Sequence, residues 1–313
     1  VNNGQTAVLT GSWENNGSVT IASTSSLGLS GISGPAGPSA TFANNGSIVQ
    51  SSGSASLGAL SGAGTLIVGN AAGGSAAAMT ASSLTQSSVT VNATGSLAIT
   101  GGTGNGVNTL VINTGGQLDL TGTSLAINYT AGSDPAATIR GYLKSGYNGD
   151  TWAGPGIDSS TAALNPGRFA VGYADGNVDQ GTAAGANQVL VKYTLAGDAN
   201  LDGTVNFSDL LVVAQNFNHT LDTHGNPIDW ADGDFNYDGV VNFADLLLVA
   251  QNFNQTLTAG QLEQLPGSFS AAWNLALAEV QSGQSNNVPE PASVALLGTA
   301  AALLLARRRR KSC

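Results

Sequence analysis

Through the first 130 positions, apolar and polar residues alternate in short runs. Examples are Ser18-Val19-Thr20-Ile21, Gly64-Thr65-Leu66-Ile67-Val68, Ser88-Val89-Thr90-Val91, Ser96-Leu97-Ala98-Ile99 and Gln117-Leu118-Asp119-Leu120. Alternation with a period of two gives each run one apolar and one polar face, which predicts half-buried strands. Turn-forming residues separate the runs: Asn-Asn-Gly recurs at Asn2, Asn15 and Asn44, with related turns at Thr94-Gly95 and Gly115-Gly116. The repeat is loose, with spacings from roughly a dozen to nearly thirty residues. A Gly/Ser/Asn-rich β-solenoid over residues 1–130, right-handed and parallel β-helix-like, fits a thin aliphatic core with few aromatics. A β-sandwich made of hairpins is its rival.

Residues 131–195 change character. Aromatic and charged residues enter in Ile139-Arg140-Gly141-Tyr142-Leu143, Gly146-Tyr147-Asn148-Gly149-Asp150-Thr151-Trp152 and Arg168-Phe169-Ala170-Val171-Gly172-Tyr173. This stretch reads as a β-rich cap or junction in which Arg168 to Tyr173 and Gln188 to Tyr193 close the solenoid's open end. A sugar platform on Tyr147 and Trp152 is the alternative. Beyond residue 196 the period switches to that of helices. Leu210, Val213, Ala214 and Phe217 follow i, i+3, i+4, i+7, and Leu246, Val249, Ala250 and Phe253 repeat the pattern. Within 259–287, Phe269, Trp273, Ala276 and Val280 share one face of a short helix. The apolar run Ala292 to Ala306 then meets Arg307-Arg308-Arg309-Arg310-Lys311, the order of a short C-terminal transmembrane helix with a basic stop. At about 1.5 Å per residue it reaches roughly 22 Å, so arginine snorkelling must cover part of the membrane's depth.

Composition narrows the function. Only 9% of the 313 residues are charged while 42% are hydrophobic, which favours repetitive β structure over disorder. Acidic groups concentrate in residues 196–256, where nine stand without a single Lys or Arg. Nucleic acid is therefore not an expected partner, and a cation is. The lone cysteine, Cys313, excludes an intrachain disulfide. The sequence opens at Val1 without a basic region and apolar stretch, which reads as a removed secretory signal or a fragment.

The cation has a specific address. Asp198, Asn200 and Asp202 stand at positions 1, 3 and 5 of a twelve-residue loop, with Gly203 at the turn. Thr204 supplies a backbone carbonyl, Asn206 a direct or water-mediated oxygen, and Asp209 closes the loop. Six to eight hard oxygens are what Ca²⁺ requires. Thirty-six residues later Asp234, Asn236, Asp238, Val240, Asn242 and Asp245 take the same roles, and residues 198–220 and 234–256 share 17 of 23 identities. Two Ca²⁺ ions are therefore expected. Like-charge crowding without metal predicts that chelation melts residues 196–258 and spares the β region. The loops depart from the usual EF-hand in closing with Asp and in following a strand-like segment, Leu190 to Thr194.

These loop–helix units, over 196–258, resemble a type I dockerin. The resemblance implies a cohesin-like partner recognised by helix faces near Phe207, Ser208, Ala214, Gln215 and His219, and by Phe243, Ala244, Ala250, Gln251 and Gln255 in the second copy. Near-identity of the faces implies two binding orientations; a calcium-dependent spacer without a cohesin partner is the other possibility. Leu60 to Leu66 and Asn113 to Leu118 resemble passenger repeats of autotransporter-type surface proteins, implying display or adhesion with an extracellular polysaccharide among the possible contacts. In 288–313, Pro289-Glu290-Pro291, the apolar run and the basic tail resemble the PEP-CTERM sorting signal. That implies export, transient membrane anchoring, and processing by an exosortase-type enzyme, with the product at the cell surface or in the extracellular matrix.

Catalysis is not expected. Residues 1–195 contain no histidine, and Glu14, Asp119, Asp134, Asp150, Asp158, Asp175 and Asp179 are scattered along the sequence, whereas glycoside hydrolysis needs two facing carboxyls. The alternative is a β-helical polysaccharide-degrading enzyme docking to a cohesin.

Overall fold

The computed structural model describes residues 6–12, 18–21, 26–34, 41–222, 224–253, 257, 259–266 and 269–282. Strands β1 (Thr6–Ser12), β2 (Ser18–Ile21), β3 (Ser26–Gly34), β4 (Thr41–Asn44), β5 (Ser47–Gln50) and β6 (Gly53–Ser61) begin the chain. They are followed by β7 (Thr65–Val68), β8 (Ala77–Val91), β9 (Gly95–Ile99), β10 (Gly106–Ile112), β11 (Gln117–Asp119) and β12 (Ser124–Asn128). Every pairing among these twelve is parallel. Hairpins are antiparallel by construction, so the sandwich is set aside and the chain coils as a solenoid.

Stacking follows from the alternation. On one face Leu27, Ile48, Leu66, Val89 and Leu110 lie in register on successive strands, and all are buried. On another Ala55, Met79, Leu97 and Leu118 stack, and Phe42, Leu60 and Leu84 fill a third. About four turns result. The fifteen-residue β8 crosses all three faces, pairing with β9, β6, β7 and β10 along its length. Corners are tight: a Cβ on Gly95 would lie 2.3 Å from the Val68 carbonyl oxygen. Asparagines line one corner, where Asn113 Nδ2 donates to Asn92 Oδ1 at 2.8 Å and Asn92 Nδ2 donates to the Gly69 carbonyl at 3.0 Å.

The junction is not purely β. Residues Ala136–Tyr147 form helix α1, within the stretch expected to be a β-rich cap. Asp134 Oδ1 accepts the Ala136 amide at 2.8 Å, and Pro135 suits a helix start. Ile139, Leu143 and Gly146 form the buried face; a Cβ on Gly146 would stand 1.8 Å from the Ile157 carbonyl oxygen. Beneath α1, β13 (Gly156–Asp158) adds Ile157 to the Leu97–Leu118 ladder. Then β14 (Phe169–Asp175) and β15 (Gln188–Leu195) pair antiparallel, and β15 pairs antiparallel with β12. This reversal ends the parallel stack.

Helices α2 (Phe207–Asn216) and α3 (Phe243–Asn252) follow, then α4 (Ala259–Gln264) and α5 (Phe269–Ser282). Residues 259–287 thus hold two helices where periodicity indicated one. Phe269 and Trp273 of α5 meet Phe217 and Phe253 edge-on, each pair at 5.2 Å. One continuous apolar core joins solenoid, junction and helices. Among the described residues no helix is long and apolar enough to cross a membrane. The expected transmembrane segment, with Pro289, Glu290 and Pro291, lies outside the described residues.

Candidate metal centre

Each acidic loop is wound by its own side chains. In the first, Asp198 Oδ1 accepts the Asp202 amide at 3.1 Å and Oδ2 the Gly203 amide at 2.9 Å. Asn200 Oδ1 also accepts the Asp202 amide, at 2.9 Å, and Asp202 Oδ1 takes the Thr204 amide at 2.8 Å. Asn206 and Asp209 form a capping box that starts α2. Asp209 Oδ1 reaches back to the Ala199 amide at 2.9 Å. One short aspartate thus closes the loop and caps the helix.

The second loop repeats the winding. Asp234 Oδ2 accepts the Gly239 amide at 3.0 Å, Asn236 Oδ1 the Asp238 amide at 2.9 Å, and Asp238 Oδ1 the Val240 amide at 2.9 Å. Asn242 and Asp245 form the second capping box. Gly203 and Gly239, at φ +96 and +94, take the left-handed turn that position six needs.

The electrostatics call for a cation. Asp198, Asp209, Asp234 and Asp245 are fully buried. Burial pushes the Asp209 carboxyl up to about 6, with Asp198 adding like-charge repulsion. It pushes Asp245 well above the usual carboxylate range, with Asp234 and Asp238 reinforcing. Asp234 Oδ1 is buried and accepts no hydrogen bond from the described residues, which leaves it available as a metal ligand. Among the described residues no three Asp, Glu, His or Cys side chains gather as a metal cluster. The loop donor set instead mixes carboxylates with asparagine oxygens and backbone carbonyls, a hard-oxygen set suited to Ca²⁺.

The loops are also seated on the junction, through residues that sequence reasoning missed. Position four is Leu201 in one loop and Tyr237 in the other, both buried and both at φ +61. Tyr237 donates its hydroxyl to the Val171 carbonyl of β14 at 2.5 Å. A Cβ on Gly172 would lie 2.8 Å from Leu201 Cδ2 and 2.4 Å from Trp230 Cε2. Trp230 Nε1 donates to the Asp198 carbonyl at 2.8 Å, and the Thr194 hydroxyl donates to Asp198 Oδ2. Lys192 Nζ donates to the Leu201 carbonyl at 2.6 Å, and Arg140 pairs with Asp234 at 2.7 Å. The matched, non-polar position four in both loops was the available signal. Trp152 packs inside this aromatic cluster, 1% exposed, so it offers no open platform for a sugar.

The two helix faces are unequally covered. Ser208, Gln215 and His219 are exposed and Phe207 is half-buried. Their counterparts Ala244 and Gln251 are half-buried, while Phe243 is buried. Ala244, Leu247, Leu248 and Gln251 line a cleft of about 560 Å³ against Tyr147, Asp150 and Arg168. Ala214 and Ala250 point into the core, which corrects their assignment to the partner face. Gln255 lies outside the described residues.

Residues 196–254 match the family model of the Dockerin type I domain, and residues 287–311 that of the PEP-CTERM protein-sorting motif. No curated protein and no solved structure matches the chain. The chain therefore carries a type I dockerin module and a PEP-CTERM signal behind a β-solenoid. Type I dockerin domains bind calcium, and such a module implies a cohesin partner. The sorting motif indicates an exported protein and implies processing by an exosortase.

Proposed function

We propose that the protein is a non-catalytic structural or adhesive component of the cell surface, assembled through a dockerin that holds two Ca²⁺ ions. The observation that carries this reading is the doubling of the loop: both copies present the same donor positions, wound by the same amide bonds. Asp198, Asn200, Asp202, Thr204, Asn206 and Asp209 would hold one ion. Asp234, Asn236, Asp238, Val240, Asn242 and Asp245 would hold the other. Bound calcium supplies the positive charge that the crowded carboxylates lack, and the chain's own amides orient those carboxylates.

Unequal coverage of the helices gives the partner surface a direction. The α2 face, with Ser208, Gln215 and His219 open, is the one that would meet a cohesin; the α3 face looks into the cleft against the junction. Calorimetry on the full chain should give two calcium equivalents, and a purified cohesin domain should be retained with calcium and released by chelation. A single equivalent sinks the two-ion reading. Absence of cohesin capture in calcium sinks the assembly role, and capture that survives chelation sinks its calcium dependence.

The non-catalytic part has its own support. Asp119 and Asp158 stand in register on adjacent coils, one pair of neighbouring carboxylates on the solenoid. Asp158 is buried and bonded to Gln117, while Asp119 Oδ1 is turned to the amides of Thr121 and Ser160. Release of reducing or unsaturated sugars from polysaccharide by the full chain would overturn this part.

A further inference from the structure

The two loops are nearly the same sequence, yet their first ligands meet different chemistry. Asp198 Oδ2 receives the Thr194 hydroxyl, a neutral donor from β15. Asp234 Oδ2 receives the guanidinium of Arg140 from α1, at 2.7 Å and across 94 residues of sequence. The Asp234 side chain is fully buried and that of Arg140 is 24% exposed. The same guanidinium lies over the turn, since a Cβ on Gly239 would stand 3.6 Å from Arg140 Nη2. Asp234 Oδ1 and Arg140 Nε are both buried without a further partner among the described residues. Lys192, the amine beside the first loop, is bonded to the Leu201 carbonyl rather than to a carboxylate.

A buried carboxylate without a counter-charge is costly, and a guanidinium within hydrogen-bonding distance offsets that cost. In the first loop the nearby Lys192 acts on Asp198 and Asp202 only through space, so among the described residues no basic group bonds a ligand carboxylate there. In the second such a group is already present in the chain. We propose that Arg140 is a resident counter-ion of the second loop, a positioning residue that keeps this loop closed and seated on β14 before calcium arrives. It holds Asp234 by Oδ2 and leaves Oδ1 for the ion. The inference rests on the reading of both loops as calcium sites. Its consequence is an order of events: the second repeat is folded in advance, and calcium switches the first repeat, whose helix face is the open one.

Hydrogen exchange on the full chain, with calcium and with a chelator, reads the loops separately. In chelator, the amides of Phe235 and Gly239 should stay protected while those of Ala199 and Gly203 exchange about tenfold faster or more than with calcium. Arg140→Gln should speed exchange across 234–242 in chelator by about tenfold or more and leave 198–206 unchanged. Added calcium should restore the variant, and Arg140→Lys should keep part of the protection because the charge remains without the planar fork. Equal opening of both wild-type loops in chelator overturns the proposal, even if the variant fails to fold. Undiminished protection of 234–242 in Arg140→Gln overturns it as well. Exchange that calcium alters in neither loop refutes the calcium reading itself, and the proposal with it.

Discussion

The solenoid and the dockerin module answer the same problem, a chain with few charges and small side chains, in opposite ways. The solenoid spreads its stability along aliphatic ladders such as Leu27, Ile48, Leu66, Val89 and Leu110, each member contributing a little and none carrying a charge. The module concentrates its stability in two loops where buried aspartates crowd together and the compensating charge comes from outside the loop. A ladder tolerates any ionic condition and suffers from a lost methyl group. A loop tolerates side-chain trimming between its ligands and suffers from a lost ion.

The largest effect expected from this contrast is chelation. Removing calcium from the full chain should unfold the first repeat, read as lost helical circular dichroism, while the strand signal stays. A parallel loss of strand signal would show that the regions fold as one unit. Next comes Leu97→Ala, which empties the centre of a ladder and should cost about 2–5 kcal/mol in solenoid unfolding. Calcium affinity should not change; a shift there would break the division between the regions.

A smaller effect concerns pH and places one charge-sensitive point at the end of the ladder. Burial, opposed by Gln117 and reinforced by Asp119, pushes the Asp158 carboxyl up to about 7 from 3.8. The folded form therefore binds the proton more tightly than the unfolded form. Its stabilising contribution is complete below about pH 3.8 and is lost as pH rises through about 7. The stability of the calcium-loaded protein should fall by on the order of 1–3 kcal/mol from pH 5 to pH 8, and Asp158→Asn should flatten that dependence. The smallest effect is at the corner. Asn92→Ala removes the bond to the Gly69 carbonyl and orphans Asn113, for about 1–2 kcal/mol, without moving calcium binding.

What the sequence disclosed follows from range. Period-two runs such as Gly64 to Val68 became β7 because alternation is local and each coil repeats it. Both loops were legible as a dockerin motif, which the family match over 196–254 supports, since loop spacing is set by twelve consecutive positions. Helix α1 was not, because Gly141 and the aromatics beside it mask a short apolar stripe; only Asp134-Pro135 marked its start. The length of β8 was hidden where Ser82-Ser83 and Thr85-Gln86-Ser87 interrupt the apolar alternation between two faces. Arg140 is the clearest case of what one sequence cannot show. Its partner lies 94 residues away, and nothing local distinguishes it from the other basic residues of the junction. The inequality of the two helix faces was invisible for the same reason, because what covers each near-identical segment lies far from it in sequence.

Gly172 has a mechanical meaning. It leaves room on β14 for Trp230 and Leu201 to rest directly on the strand's backbone, where any side chain would hold them off. A tug on a docked partner would thus pass from the module straight into β14 and along β15 to the hydrogen-bonded ladder of β12. The strain would be shared by the row of hydrogen bonds along those paired strands rather than by a slack tether.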